Sequence, residues 1–336
     1  MTPAREQPAV AERFAAQLLT GRKPNDPVEV AERLLAIQAQ DFRGGLLAVR
    51  ARSRAVTRAD VERALSKERS LIISWLNRGT LHLIRSEDYW WLHTLTTPQL
   101  RTGNMRRLQQ EGVSPAQAER GTRAIVREIE RHGPRTRPQL RDALVRSRVP
   151  VAGQALVHVL AYATIRGHIV RGPVIGKQQG FVLVNDWLGP APRRFDRDAA
   201  SRELAVRYLA GHAPATDRDL AWWAGIPLRD ARAALAAAGP PKPRRPSATM
   251  PQPTLLGPWE PLLVGWVDRS WILGANVKKV TIEGLFRSFA LVRGKAVATW
   301  RWEEGGPAVE PFDRISRTDR AALDREAEAV VRFLET

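Results

Sequence analysis

Residues 71–84, LIISWLNRGTLHLI, constrain the fold more than any other stretch of the chain. Apolar, β-branched residues lie on both sides of Asn77-Arg78-Gly79, a trio suited to a tight turn, so the segment reads as a β-hairpin. Three helical patterns precede it. Residues 8–20 place Val10, Phe14, Leu18 and Leu19 on one face. Pro24 and Pro27 separate that helix from a second, with Asp26 placed to cap and Pro27 in the first turn. Thr57 opens a third, TRADVERALSK, with Val61, Ala64 and Leu65 facing inward. Three helices followed by a two-stranded hairpin form the winged-helix pattern, a variant of helix-turn-helix.

The pattern recurs. Residues 114–133 read as a helix opening on Ser114-Pro115 and stopping at Gly133, and 137–145 and 152–167 supply two more. Residues 168–184 resemble a second hairpin. A Pro-rich link at 189–195 leads to a third helical set, DAASRELAVRYLAGH, DRDLAWWAG and LRDARAALAAAG. Residues 239–253, GPPKPRRPSATMPQP, read as a linker or long exposed loop. Beyond it PLLVGWV, WILGA and FALVRGKAVATWRW read as strands, the last pair a hairpin about Gly294, and 317–335 as a closing helix. The expected fold is therefore mainly α with β. It divides into winged-helix units at 1–110, 111–192 and 193–245 and a β-rich C-terminal domain at 246–336.

Charge points to the partner. Among 336 residues, 53 Lys and Arg face 35 Asp and Glu, a formal net charge of +18. Residues 101–200 are the most basic third, with 18 basic and 8 acidic groups. Such an excess fits a polyanion, since neutralising phosphates releases counterions. Compositional bias toward Arg across a genome is the plainer explanation of the same numbers. Cysteine is absent, which excludes disulfides, thiolate metal sites and cysteine nucleophiles. The N-terminal stretch has no apolar core of signal-peptide length and no run approaches a membrane span, so a cytoplasmic protein without membrane contact is expected.

One polar motif stands out. The apolar stripe of Val30, Leu34, Leu35 and Ile37 runs up to Gln38-Ala39-Gln40, and Gly44-Gly45 follow shortly after. On a continuous helix, side chains two residues apart point about 200° apart. If the helix ends near Gln38, extended backbone sets both amides on one side with the small Ala39 turned away. The paired glycines favour such an ending. By itself this geometry is more often surface decoration than a site.

Several blocks taken together carry a resemblance. QAQ at 38–40, RGTLHLI at 78–84, APATDRDLAWWAGI at 213–226, EPLLVGWVDR at 260–269 and ALVRGKAVATWRW at 290–302 occur in order. In this set the chain resembles the AlkZ-like winged-helix DNA glycosylases, from about residue 10 to 335. The resemblance implies three tandem winged-helix units and a β-rich C-terminal domain, forming a C-shaped basic channel for duplex DNA. It also implies cleavage of the N-glycosidic bond of N7-alkylated purines. One branch, with a Gln-x-Gln motif, takes bulky adducts and interstrand crosslinks, in antibiotic self-resistance or base excision repair. A second branch has Gln-x-Asp, and Gln38-Ala39-Gln40 sides with the first.

By that resemblance Gln38 and Gln40 are the expected catalytic pair. Asp41 is the rival base, but in an extended segment it points away from both amides, and capping or pairing with Arg43 is the plainer role. Arg43, Arg52, Arg54 and Arg78 flank the glutamines in sequence and are expected phosphate contacts, with Arg135, Arg137 and Arg171 matching them in the second unit. His82 reads either as a structural histidine or as a contact to DNA or lesion. The tryptophans at 75, 90, 91, 222, 223 and 266 read mostly as core, with stacking on or wedging at a base the alternative for one or two of them. No His, Asp and Glu cluster has metal-ligand spacing, and no glycine-rich phosphate loop or G-x-S-x-G elbow is present, so neither metal nor cofactor is expected. No lysine beside the motif is placed for strand scission, so a monofunctional enzyme is expected. The partner is double-stranded DNA with alkylated purines, bound by a monomer. A winged-helix transcriptional regulator without catalysis is the alternative; it would have no use for two convergent amides, and no heptad or dimerisation helix is visible.

Overall fold

The computed structural model describes residues 6–240 and 249–335. The chain is mixed α and β and groups into two compact units. Neither is continuous in sequence. One takes in residues up to Val61, Arg202–Trp223 and Pro227 onward, and the other Glu62–Ser201 with Ala224–Ile226. Much of the expected linker, residues 241–248, lies outside the described residues.

In the first unit the sequence signals act where they stand. The Asp26 carboxylate accepts from Val28 N at 2.8 Å and Pro27 occupies the first turn, so the helix Pro27–Leu34 starts there. Thr57 and Asp60 exchange hydrogen bonds ahead of Arg58–Ser66, a helix that runs across the boundary between the units. A four-stranded antiparallel sheet has the spatial order Thr254–Leu256, Phe289–Val292, Lys295–Glu303, Gly306–Pro311. The hairpin about Gly294 is its centre, bulged between Ala296 and Ala298. Phe14, Leu19, Leu256, Leu263, Trp266 and Phe289 form one apolar core with their neighbours. The closing helix, Arg317–Glu335, is tied to the helix Phe42–Arg52 by a bidentate pair, Arg50 to Glu326 at 2.7 and 2.9 Å.

Two of the expected strands are wrong. PLLV, residues Pro261–Val264, is a helical turn, and Trp271 to Leu273 belong to another, Ser270–Leu273. Glu260 caps the first of these, accepting from Leu262 N at 3.3 Å, and Pro261 supplies its first residue. The Asp268 carboxylate accepts from both Ser270 N and Ser270 Oγ and starts the second. Four apolar residues fit a buried helical turn as well as a strand, so the cap decides.

In the second unit the hairpin of 71–84 forms as Leu71–Leu76 and Thr80–Arg85, with Asn77 and Gly79 both at positive φ (48° and 81°) in its turn. Ile73 opposite Arg171 joins it to the second hairpin, Ile169–Ile175 and Gln178–Leu183, so the two hairpins lie antiparallel in one sheet. Helices Pro115–His132 and Arg137–Arg146 open on capping boxes, Ser114 with Gln117 and Thr136 with Gln139. With Ala155–Ile165 they give the second set of three helices and a hairpin. The helices Tyr89–Thr96 and Leu100–Gln110 had no counterpart in the sequence reading.

Two histidines are sealed in these cores. His212 stacks on Tyr208 with ring centroids 4.5 Å apart, beside Trp223 and Trp266, and burial pushes its pKa down to about 3. Burial together with the nearby Arg78 does the same to His82. Both protonate in the unfolded chain near pH 6.5, so the unfolded state binds more protons between that pH and about 3. Stability is therefore fully present above pH 6.5 and falls on acidification, by about 1.4 kcal/mol per pH unit for each histidine. Urea midpoints at pH 7.5 and 5 should differ clearly; equal midpoints would mean these rings are not buried in the neutral form.

Candidate active site

The Gln-x-Gln segment lies between two helices whose ends are both specified. Helix Pro27–Leu34 stops because Leu35 takes a left-handed backbone (φ 64°), although its side chain is fully buried. Such strain in a non-glycine residue persists only where the surroundings hold it. Here Gly211 packs on the helix end so closely that a Cβ there would lie 2.5 Å from Arg33 O. Ile37 and Gln38 are extended, and Asp41, also extended, accepts from Gly44 N at 3.0 Å and caps the helix Phe42–Arg52. Asp41 is thus a cap.

The paired glycines have a different role from the one expected. They do not end the first helix; they sit in the first turn of the next. A Cβ on Gly44 would meet Pro258 O at 2.6 Å, and one on Gly257 would meet Gly44 Cα at 2.9 Å, so these two glycines let two backbones touch. Gly45 lies against Ala39, and a Cβ on Gly45 would sit 3.3 Å from the Ala39 Cβ. Ala39 therefore faces the helix, while Gln38 is extended and Gln40 lies in a bend ahead of Asp41. Gln38 is 3 % exposed, whereas Gln40 is exposed to solvent.

The segment is clamped from below. Ile37–Gln38 packs against the helix Phe42–Arg52 and the helical turn Pro261–Val264. Those two supports are joined by a buried ion pair. Arg52 donates to Glu260, to Gln17 Oε1 and to Ala48 O, at 3.0 Å each for the last two, and both charged side chains are 0 % exposed. Gln17 in turn donates to Gly211 O at 2.7 Å. The chain Gly211–Gln17–Arg52–Glu260 thus links the supports on either side of Gln38. Sequence reasoning missed Glu260 as part of this frame; the acid before Pro261 at the head of an apolar run was the available signal.

Arg52 is accordingly corrected: it is an interior cation with its own carboxylate and does not reach phosphate. His82 is 2 % exposed, with Nδ1 3.0 Å from Thr80 O, and is neutral at physiological pH, so it supplies no charge to DNA. Arg171 lies over Trp75 (5.0 Å) and Phe181 (5.2 Å) and donates to Gln179, and burial lowers its pKa to about 10; it braces the sheet. Arg135 is 3.4 Å from Glu128 and half-buried. Arg43 stacks over Trp302 at 5.1 Å. Arg54 is exposed, Arg137 is exposed at the start of its helix, and Arg78 is half-buried in the hairpin turn. Trp75, Trp223 and Trp266 are core, while Trp90, Trp91 and Trp222 are half-buried. Among the described residues no group of three His, Asp or Glu could hold a metal ion, and no helix is long and apolar enough to cross a membrane.

Comparison with known proteins places this frame. The family described as DNA glycosylase AlkZ-like matches residues 31–333. A curated relative, the interstrand DNA cross-link repair glycosylase of Streptomyces sahachiroi, is 28 % identical over 227 residues. That alignment takes in 64 % of this chain and 59 % of the relative's length. Among solved structures, the Streptomyces sahachiroi DNA glycosylase AlkZ superposes with a TM-score of 0.75 at 24 % identity, covering 97 % of this chain and 95 % of that one, which shows a shared fold.

Proposed function

Because the chain belongs to the AlkZ-like DNA glycosylase family, we propose that it hydrolyses the N-glycosidic bond of bulky N7-alkylated purines in double-stranded DNA. Gln38 and Gln40 carry the chemistry. The observation that supports this is the short Gln38-Ala39-Gln40 segment fixed between two specified helix ends, with Ala39 turned onto Gly45.

An N7-alkylguanine is already cationic, so its departure from the sugar needs no general acid. What remains is to hold a water below C1′ and to stabilise an oxocarbenium-like transition state. An amide is too weak a base to take the proton outright. Its carbonyl oxygen can still accept from the water and face the developing positive charge. Holding that water in line converts part of the entropic barrier into binding already made in the folded protein. The resulting oxocarbenium is captured by the water, whose proton passes to solvent, leaving an abasic site and a neutral N7-alkylpurine.

The wider reading follows the same lines. The two sets of three helices and a hairpin, with the helices at 197–238, form tandem winged-helix units, and the protein acts as a monomer on duplex DNA. The name of the curated relative extends the substrate class to purines joined in an interstrand crosslink, since a base that cannot be flipped freely suits a site without a deep pocket. The catalytic reading is favoured over a regulator because strained Leu35 and the clamp beneath Gln38 hold one loop geometry, which DNA binding alone does not require. Purified protein incubated with a duplex carrying a single bulky N7-alkylguanine should give alkali-labile abasic sites without strand scission. A duplex left intact, together with an intact N7-methylguanine duplex, would replace this reading with the regulator.

A further inference from the structure

A basic cleft of the first unit is lined by residues other than those of the glutamine segment. Five cations, Arg22, Lys23, Arg33, Arg54 and Arg207, line one cleft of 930 Å³, against two carboxylates, Glu29 and Glu32. Two of the five are fixed to the walls: Lys23 Nζ donates to Ala51 O at 2.7 Å and Arg207 to Glu32 O at 2.9 Å. The side chains of Arg22, Arg33 and Arg54 donate no hydrogen bond to any described residue. Burial lowers the pKa of Lys23 and of Arg33 below their ordinary values, and the acids acting on them, Glu326 and Glu32, offset only part of that desolvation. An anion carrying several oxygens would offset that cost, and guanidinium forks match phosphate oxygens.

Position identifies the source of the phosphate. Arg33 is in the last turn of the helix that leads to Gln38, and five residues of chain span at most about 18 Å. Arg54 follows the helix that starts after Gln40, and its 11 residues are about 17 Å long. Duplex DNA rises about 3.4 Å per base pair, so the cleft lies within about five base pairs of a lesion held at the glutamines. We infer that Arg22, Arg33 and Arg54 grip the phosphodiester backbone of the substrate duplex within about five base pairs of the excised base. This rests on the reading that DNA is processed at Gln38.

The test is equilibrium binding of an undamaged 21-base-pair duplex, by anisotropy over a range of salt concentrations. It compares the full chain with Arg22→Ala/Arg33→Ala/Arg54→Ala and with the same three positions changed to Lys. Three lost phosphate contacts reduce the slope of log K against log salt by about 2.7, and the Lys variant keeps most of the slope. Coincident slopes for wild type and the Ala variant, with unchanged melting temperature, overturn the inference. If slopes coincide but pyrophosphate raises the melting temperature of wild type alone, the cleft serves a free phosphorylated ligand, and the DNA assignment is equally overturned. A wild type that binds DNA with a steep salt slope yet excises nothing would end the catalytic reading and leave this comparison standing.

Discussion

Replacing Gln38 or Gln40 by alanine should lower single-turnover excision of a bulky N7-alkylguanine by about 100- to 1,000-fold, the usual cost of deleting one preorganised dipole at a developing charge. Duplex affinity should stay close to wild type, because neither amide carries charge and phosphate contacts dominate binding. The separation of the two effects is what matters. An equal fall in binding and excision would make the glutamines a DNA clamp. Gln40→Ala should also leave thermal stability unchanged, since its side chain is exposed. Gln38→Ala, from a buried position, should cost some stability, so its rate is to be read below the onset of unfolding.

The largest expected stability effect is at Arg52 and Glu260. Removing either partner leaves an uncompensated charge in a fully buried site, which costs about 3–5 kcal/mol. Replacing both together, Arg52→Met with Glu260→Leu, should recover much of that loss, because two apolar side chains of similar volume need no counter-ion. Denaturant unfolding of the two single variants and the double variant checks this. Additive losses in the double variant would mean that the side chains act separately. Excision by the double variant is informative as well. A stable protein with slowed excision would show that the pair positions Gln38 through the helix Phe42–Arg52 and the turn Pro261–Val264, and does more than hold the unit together.

Much of this architecture could be read from the chain because its signals are local. Asp26-Pro27, Ser114 with Gln117, Thr136 with Gln139 and Gly133 each act on the residues beside them, and each helix starts or stops there. The two hairpins of the second unit likewise carry their turns in their own residues. Most of what could not be read was set by distant partners. Gly44 and Gly45 have the look of a stop signal, but Gly44 is glycine because Pro258, far along the chain, needs the space. Arg52 has the look of one more surface arginine, yet Glu260 lies against it in the core. PLLV becomes a helical turn through a cap whose donor and acceptor are near neighbours, although its apolar residues fit either structure. At the candidate site, the residue types and their spacing were legible. The clamp beneath them, from Gly211 through Gln17 to Arg52 and Glu260, joins residues far apart in sequence, and only the acid ahead of Pro261 gave a local sign of it.

The most direct measurement is the single-turnover excision rate of Gln38→Ala/Gln40→Ala beside each single variant and wild type, on one duplex with a bulky N7-alkylguanine. Two amides that hold the same water act as a unit, so the double variant should be no slower than the slower of the two single ones. Losses that multiply in the double variant would show two independent contributions, and single variants that excise at the wild-type rate would remove the glutamines from the chemistry.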